Sequence, residues 1–450
     1  MQALPPFSYF ARFPVHGFRW PNGFQALLVH NPLAPVAAFL THYTVGSASE
    51  GESERGLAHF FEHMMFRETA RLRDGDFDRI MAEAGGVGLN ASTSYDTTQY
   101  YVSVPAESLA RVIEVEADRM VNLRLSPDLI EKERGAVLGE MRMYKDMPSD
   151  QFYNALMAAA FQRHPYRHPI IGYTEQVAAF GTADFARFYR AHYAPNRALV
   201  LIAGGFDETE VLRLLDVAYG NLPPGAPRPE PASADPPPRV ARRVELTHDK
   251  VSSESLYLAT HTPGLAHADL PALSLLASVL SDGRSSPLHR RLVLDGLATS
   301  ASCGVLDADY PLVSPGLFLV NVSLQHGVAA ERAEAVWDAL LVEYARDGIP
   351  PAEIERARNQ VRLGTYSSLQ TNMSLARQLG GFWVACGDAR FGETLLERLL
   401  VVTAAELQRV LGAYLAVPGR IAVIQRPGAG PGSGAGAAAF GADAPAGAGA

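Results

Sequence analysis

Apolar residues along this chain follow two rhythms. From Phe18 to Val29, two short apolar runs flank Pro21-Asn22-Gly23 and predict a hairpin turning at Asn22-Gly23. Val36–Val45 is β-rich and predicts a strand leading into a Ser-, Glu- and Gly-rich loop, Gly46–Gly56. The rhythm then becomes helical. Gly56–Phe66 is an apolar run broken only by His59, Glu62 and His63, and no Gly or Pro follows Gly56. Asp74–Ala84 predicts a helix stopped by Gly85-Gly86, and Leu89–Val104 returns to strand. Ser108–Asn122 is an amphipathic helix. Ser126 as cap and Pro127 in the first turn open another, which runs to about Lys145. Helices over Asp150–Phe161 and Thr182–His192 precede a short buried strand, Ala198–Ala203.

Residues 222–239 hold eight prolines and read as an extended, semi-rigid linker. They separate a first domain, 1–221, from a second, 240–426. The second restarts with a strand, Ser255–Thr260, then a helix, Ala268–Leu280, and a strand, Leu317–Leu324. Helices are expected over Ala329–Ala345, Pro351–Gly364, Leu369–Ala385 and Ala404–Leu415, with a closing strand at Arg420–Gln425. Residues 427–450 are Gly, Ala and Pro with almost no large apolar side chain, and are expected to be disordered. Both halves run strand, loop, helix, further helices, strand. That order suggests an internal duplication in an α+β protein.

Composition narrows the class only a little. The 450 residues are 48% hydrophobic and 19% charged, ordinary for a globular protein with sizeable cores. A net charge of −9 argues against a nucleic-acid partner. Cys303 and Cys386 cannot make a disulfide framework and read as core thiols. Met1–Arg12 lacks a basic segment followed by an apolar core, and no window suggests a membrane span. The expected compartment is cytoplasmic, or periplasmic if a signal peptide has been removed.

The chemistry concentrates in the first half. His59 and His63 are four apart, so their rings lie on one helix face, with Glu62 beside them. Two imidazoles at this spacing can bind one Zn²⁺, and a neighbouring carboxylate can reach a water on it; the order is the inverted zinc-peptidase motif H-x-x-E-H. Three ionisable groups on a largely apolar helix need a shared partner. Two histidines leave the ion short of ligands. Glu133 and Glu140, seven apart on one predicted helix among Val137, Leu138 and Met141, are candidates. Periodicity alone leaves open a solvated acidic stripe with Glu131, Lys132 and Arg134. His164 and His168 are also four apart, but Pro165 and Pro169 make that stretch a structured loop rather than a metal helix.

Together, Gly56–Phe66, Asn90-Ala91-Ser92-Thr93, Glu133-Arg134 with Glu140 seven residues after Glu133, and Tyr193-Ala194-Pro195-Asn196 resemble the pitrilysin/insulinase family of zinc peptidases. They resemble in particular its mitochondrial-processing-peptidase-like bacterial branch. The resemblance covers residues from about 15 to 425. It implies two homologous α/β sandwich-like domains, each a mixed, mainly antiparallel sheet packed with helices. It implies one Zn²⁺ per chain held by His59, His63 and Glu140, with Glu62 as general base and Glu133 as a supporting acid. It also implies that Asn90, Ala91, Ser92 and Thr93 bind an extended peptide substrate as an added β-strand. The expected activity is hydrolysis of peptide bonds in unfolded or short peptides, or in a leader peptide.

One segment departs from the family pattern. Single-chain members carry an Arg and a Tyr in the second half, but here Val293 and Thr299 stand at those places in Ser285–Thr299. The resemblance therefore implies a heterodimer in which a metal-less paralogue supplies Arg and Tyr. The alternative is a zinc-bound scaffold or regulatory subunit of a larger complex. Mn²⁺ or Co²⁺ could replace zinc in vitro.

Overall fold

The computed structural model describes residues 1–33, 35–227, 235–305 and 316–428. Its first sheet contains β1 (Gln2–Ala3), β2 (Phe7–Tyr9), β3 (Phe13–Arg19), β4 (Gln25–His30), β5 (Val36–Tyr43), β6 (Val87–Thr93), β7 (Thr98–Pro105) and β8 (Ala198–Gly204). The order is β1-β3-β4-β8-β5-β7-β6, with β2 paired to β3. β4 and β8 pair in parallel, and the other pairs are antiparallel. The hairpin expected at Asn22-Gly23 joins β3 to β4, with Gly23 at φ 86°.

The second sheet contains β9 (Arg242–His248), β10 (Ser255–Thr262), β11 (Ala298–Val305), β12 (Gly316–Leu324) and β13 (Ile421–Pro427). Its order is β11-β12-β10-β13-β9, with β13 and β9 parallel. This repeats β6-β7-β5-β8-β4, including the parallel pair at the far end. The internal duplication suggested by element order is thus visible in strand topology, and the fold is α+β.

Strand composition follows position in the sheet. β8 reads Ala-Leu-Val-Leu-Ile-Ala-Gly and is buried throughout, because both faces of the sheet are covered. One face packs against the helices Leu57–Met64, Leu109–Asn122, Pro127–Lys145, Thr182–His192 and Glu208–Tyr219. The other face is covered from the second half: Leu375, Ala376 and Leu379 of helix Asn372–Cys386 lie on Leu27, Ala38, Leu40 and Leu201. Reciprocally, Phe152, Leu156 and Met157 of helix Pro148–Ala160 pack on Ala259, Leu317 and Val423 of the second sheet. Each fully buried Leu or Phe contributes about 1.5–3 kcal/mol, so the exchanged helices bind the halves together strongly.

The ends of the proline-rich stretch are tied down. Asn196 donates to the Gly225 and Ala226 carbonyls. The buried Asp235 carboxylate accepts backbone N–H groups from Gln162, Arg163 and His164. Residues 228–234 of the expected linker, and 429–450 of the expected tail, lie outside the described residues. The two thiols are half-buried rather than fully internal. Cys303 borders the second core and Cys386 sits at a helix end, where its Sγ faces the Phe382 carbonyl.

Candidate metal centre

The centre starts with helix Leu57–Met64. Leu57, Ala58, Phe60, Phe61 and Met64 are buried and hold it against the sheet. Phe61 packs among Phe185, Phe188, Tyr189 and Tyr193. His59, Glu62 and His63 are the half-exposed remainder, facing a cleft. Gly56 enters the helix at φ 103°, and a Cβ there would lie 2.6 Å from the Ile171 carbonyl oxygen, so glycine is required.

Buried polar side chains hold both ends of this helix. Glu50 accepts the Gly56 and Ala58 N–H groups at 3.0 and 2.7 Å, satisfying donors left over at the N-terminus. Arg119 donates to the Met65 carbonyl at 3.4 Å from the other end, where its guanidinium matches the helix dipole. Burial pushes the Glu50 carboxyl up to about 8 against the pull of its two backbone donors.

The second contributing helix is Pro127–Lys145, capped by Ser126 Oγ accepting the Leu129 N–H. It brings both candidate glutamates to the motif. Glu140 Oε2 lies 3.6 Å from His59 Nε2 and 3.2 Å from His63 Nε2. Glu133 Oε2 is 3.5 Å from His63 Nδ1, and Glu133 Oε1 is 2.7 Å from Arg67 Nε. Ligand atoms of His59, His63 and Glu140 all lie within 4.8 Å of one another. Around a tetrahedral zinc with bonds of about 2.1 Å, neighbouring ligands stand about 3.4 Å apart. The two separations to Glu140 match that edge, and the donor set of two imidazoles and a carboxylate leaves a position open. The residues fit a zinc ion. Glu133 stands behind His63, on the nitrogen that does not face Glu140.

The electrostatics of the ion-free pocket are uneven. Burial, helped by His63 and opposed by Glu140, drives His59 down to about 4. Burial also disfavours charged His63, but Glu133 and Glu140 outweigh it and lift that ring to about 9. Glu140 is held below the usual carboxylate range, first by its hydrogen bond with His63. Glu62 is raised, chiefly by burial.

The cleft has a volume of about 430 Å³. His59, Glu62 and Glu140 line it together with Asn90, Ala91, Ser92 and Thr93. Those four residues end β6, which forms the edge of the first sheet. The structure thus brings the motif, the two glutamates and the edge segment together: His59, Glu62, Glu140 and Asn90–Thr93 line the cleft, His63 lies against Glu140, and Glu133 stands behind His63. Tyr144, Asp150 and Tyr153 also line it, and sequence reasoning missed them. Tyr144 follows Glu140 by four on the same helix, a signal that periodicity contains. Asp150 and Tyr153 lie on the next helix, which the pattern alone does not place at the metal. His164 and His168 are buried elsewhere: His164 Nδ1 accepts the Tyr166 N–H, and His168 Nδ1 meets Tyr173 Oη at 2.8 Å.

Comparison with known proteins accords with this geometry. Residues 25–174 match the family model for insulinase (peptidase family M16), and residues 180–361 match that of the peptidase M16 inactive domain. An uncharacterised zinc protease of Mycobacterium leprae is 30% identical over 391 residues, covering 86% of each chain. A Schizosaccharomyces pombe protein named "Probable mitochondrial-processing peptidase subunit beta" is 25% identical over 403 residues, again covering 86% of each. The crystal structure of a protease from Helicobacter pylori superposes with a TM-score of 0.85 at 27% identity, covering 91% of this chain and 99% of that one. The chain belongs to the insulinase family, peptidase family M16.

Proposed function

We propose that this chain is a zinc-dependent endopeptidase subunit, hydrolysing peptide bonds in unfolded or short peptides or in a leader peptide. The observation that carries the reading is the meeting of His59, His63 and Glu140 with Glu62 in one cleft beside the open edge of β6. An extended peptide laid along Asn90–Thr93 gains main-chain hydrogen bonds irrespective of its sequence. Bound zinc supplies a Lewis acid for the scissile carbonyl and lowers the pKa of a water to about 7. Glu62 takes the proton of the attacking water and delivers it to the departing amine. Its raised pKa suits both halves of that transfer. Glu133 keeps the His63 ring oriented. The zinc ligands remain His59, His63 and Glu140, with one ion per chain.

The subunit acts with a metal-less paralogue that supplies the missing Arg and Tyr. Val293 is half-buried against the second core, and the exposed Thr299 donates to the Ser323 carbonyl. Arg290 and Arg291 are already paired with Glu353 and Glu343 at 2.8 Å, so neither is free to replace the Arg.

Glu62→Gln tests the reading: it should retain zinc and lose cleavage. Retained cleavage in that variant would exclude Glu62 as base, and unchanged cellular function without any cleavage would favour the scaffold reading. The lone chain should gain activity on addition of the paralogue. Full activity without it would defeat the division of labour.

A further inference from the structure

We infer that Thr93 is a positioning residue for Glu62, fixing the general base to the strand that receives the substrate. The inference rests on the peptidase reading above and goes beyond it, since there Thr93 only offers backbone to a peptide.

Thr93 is the last residue of β6. Its hydroxyl donates to Glu62 Oε2 at 2.6 Å. The hydroxyl proton is committed to Glu62. The other hydroxyl nearby, Thr98 Oγ1, is 3.5 Å away and sends its own proton to the Val45 carbonyl at 2.9 Å. One hydroxyl therefore holds the base in place. Glu62 projects from a helix and carries three rotatable bonds, so without this grip it has several rotamers in a 430 Å³ cleft. With it, the carboxylate is tied to the backbone of the edge strand.

The consequence is a shared reference point. A peptide paired to β6 takes its register from the Asn90–Thr93 backbone, and the base takes its position from Thr93. Scissile bond and base are located by one rigid element rather than by two elements that must be brought into alignment. A base misplaced by about 1 Å can cost up to 100-fold in rate, so the link matters to turnover and not to binding.

The test uses the zinc-loaded chain together with its metal-less paralogue, and an internally quenched unstructured peptide as probe. Thr93→Val removes the hydroxyl at nearly constant shape, and Thr93→Ser keeps it. Thr93→Val should lower kcat by about 10- to 100-fold with KM within about twofold and zinc content unchanged. Thr93→Ser should return kcat to within about threefold of the parent. A Thr93→Val enzyme with parental kcat, a Thr93→Ser enzyme as impaired as Thr93→Val, or a rise in KM at constant kcat would each overturn the proposal. A second measurement needs no turnover. In high-resolution structures of the zinc-loaded chain, the Glu62 carboxylate should hold one rotamer on Thr93 Oγ1 in the parent and spread over several in Thr93→Val. One unchanged Glu62 rotamer in both would break the Thr93–Glu62 link. If the parent cleaves nothing while the structures report the link, the peptidase reading fails and the link stands.

Discussion

Arg119→Met is the sharpest test of how the motif helix is held. Arg119 is completely buried. Its guanidinium makes two contacts with Glu116, at 2.5 and 3.1 Å, donates to Met65 O, and lies 4.3 and 4.6 Å from the Tyr100 and Phe77 ring centroids. Methionine fills similar length without charge. It leaves Glu116, only 2% exposed, with the Thr41 hydroxyl at 3.2 Å as its remaining side-chain donor. Removing one member of a buried pair costs about 3–5 kcal/mol, because the other charge is stranded. For a domain of this size, that is a fall of roughly 6–20 °C in the melting transition of the first half. Thermal unfolding of the zinc-free chain, followed by aromatic circular dichroism, measures it. The double variant Glu116→Gln/Arg119→Met removes the stranded charge and should recover most of the loss. A double variant as unstable as the single one would refute the argument. It would show that the cation–ring contacts and the helix-end bond, which neither variant restores, carry the stability instead.

Two further outcomes follow from the same geometry. Glu133→Gln should weaken zinc binding by about 10- to 100-fold, measured by chelator competition, because the carboxylate behind His63 no longer orients the ring. The zinc-free chain should be most stable near pH 6.5. His63, raised to about 9, adds stability that is full below about 6.5 and disappears as pH rises through 9, roughly 3 kcal/mol as an upper bound. His59, lowered to about 4, adds stability present above about 6.5 that is lost as pH falls towards 4. Melting temperatures across pH 4–10 with and without zinc check this, and a flat zinc-free profile would contradict it.

Much of this centre was readable from the sequence because its signals are local. The four-residue histidine spacing needs only a helix, and Ser126-Pro127 announces the helix carrying Glu133 and Glu140. The supports of the centre were not readable. Glu50 and Arg119 look like surface charges, and only the arrival of helix ends beside them makes burial tolerable. β11 reads Ala-Thr-Ser-Ala-Ser-Cys-Gly-Val, with little strand propensity; pairing with β12 makes it a strand. β9, Arg-Arg-Val-Glu-Leu-Thr-His, lies on the sheet edge with exposed alternate positions, so no apolar face stands out. Helix Glu208–Tyr219 did carry a usable signal, since Asp207 caps it by accepting the Glu210 N–H. The exchange of helices between the halves depends on contacts between residues more than 100 apart in sequence, which no local pattern encodes.

The second half shows the same framework without the ionisable cluster. Helix Pro351–Ser367 opens on a proline, as does Pro127–Lys145. Counting from those prolines, Glu133 and Glu140 correspond to Ala357 and Gly364. Helix Leu270–Ser281 takes the place of the motif helix, and there Ser278 Oγ donates to the Ala357 carbonyl at 3.5 Å. A neutral hydroxyl-to-backbone contact thus links these two helices. In the second half the same two-helix crossing is made by side-chain-to-backbone contacts, from Ser278 to the Ala357 carbonyl and from Arg356 to the Val279 carbonyl, rather than by a cluster of histidines and glutamates. In the first half, His59, His63, Glu133 and Glu140 make the same crossing a cluster of ionisable groups whose affinities are driven apart, to about 4 and about 9 for the two histidines. The shared framework does not itself create such a cluster; these four side chains do, and they occupy the half whose edge strand ends in Thr93 beside Glu62.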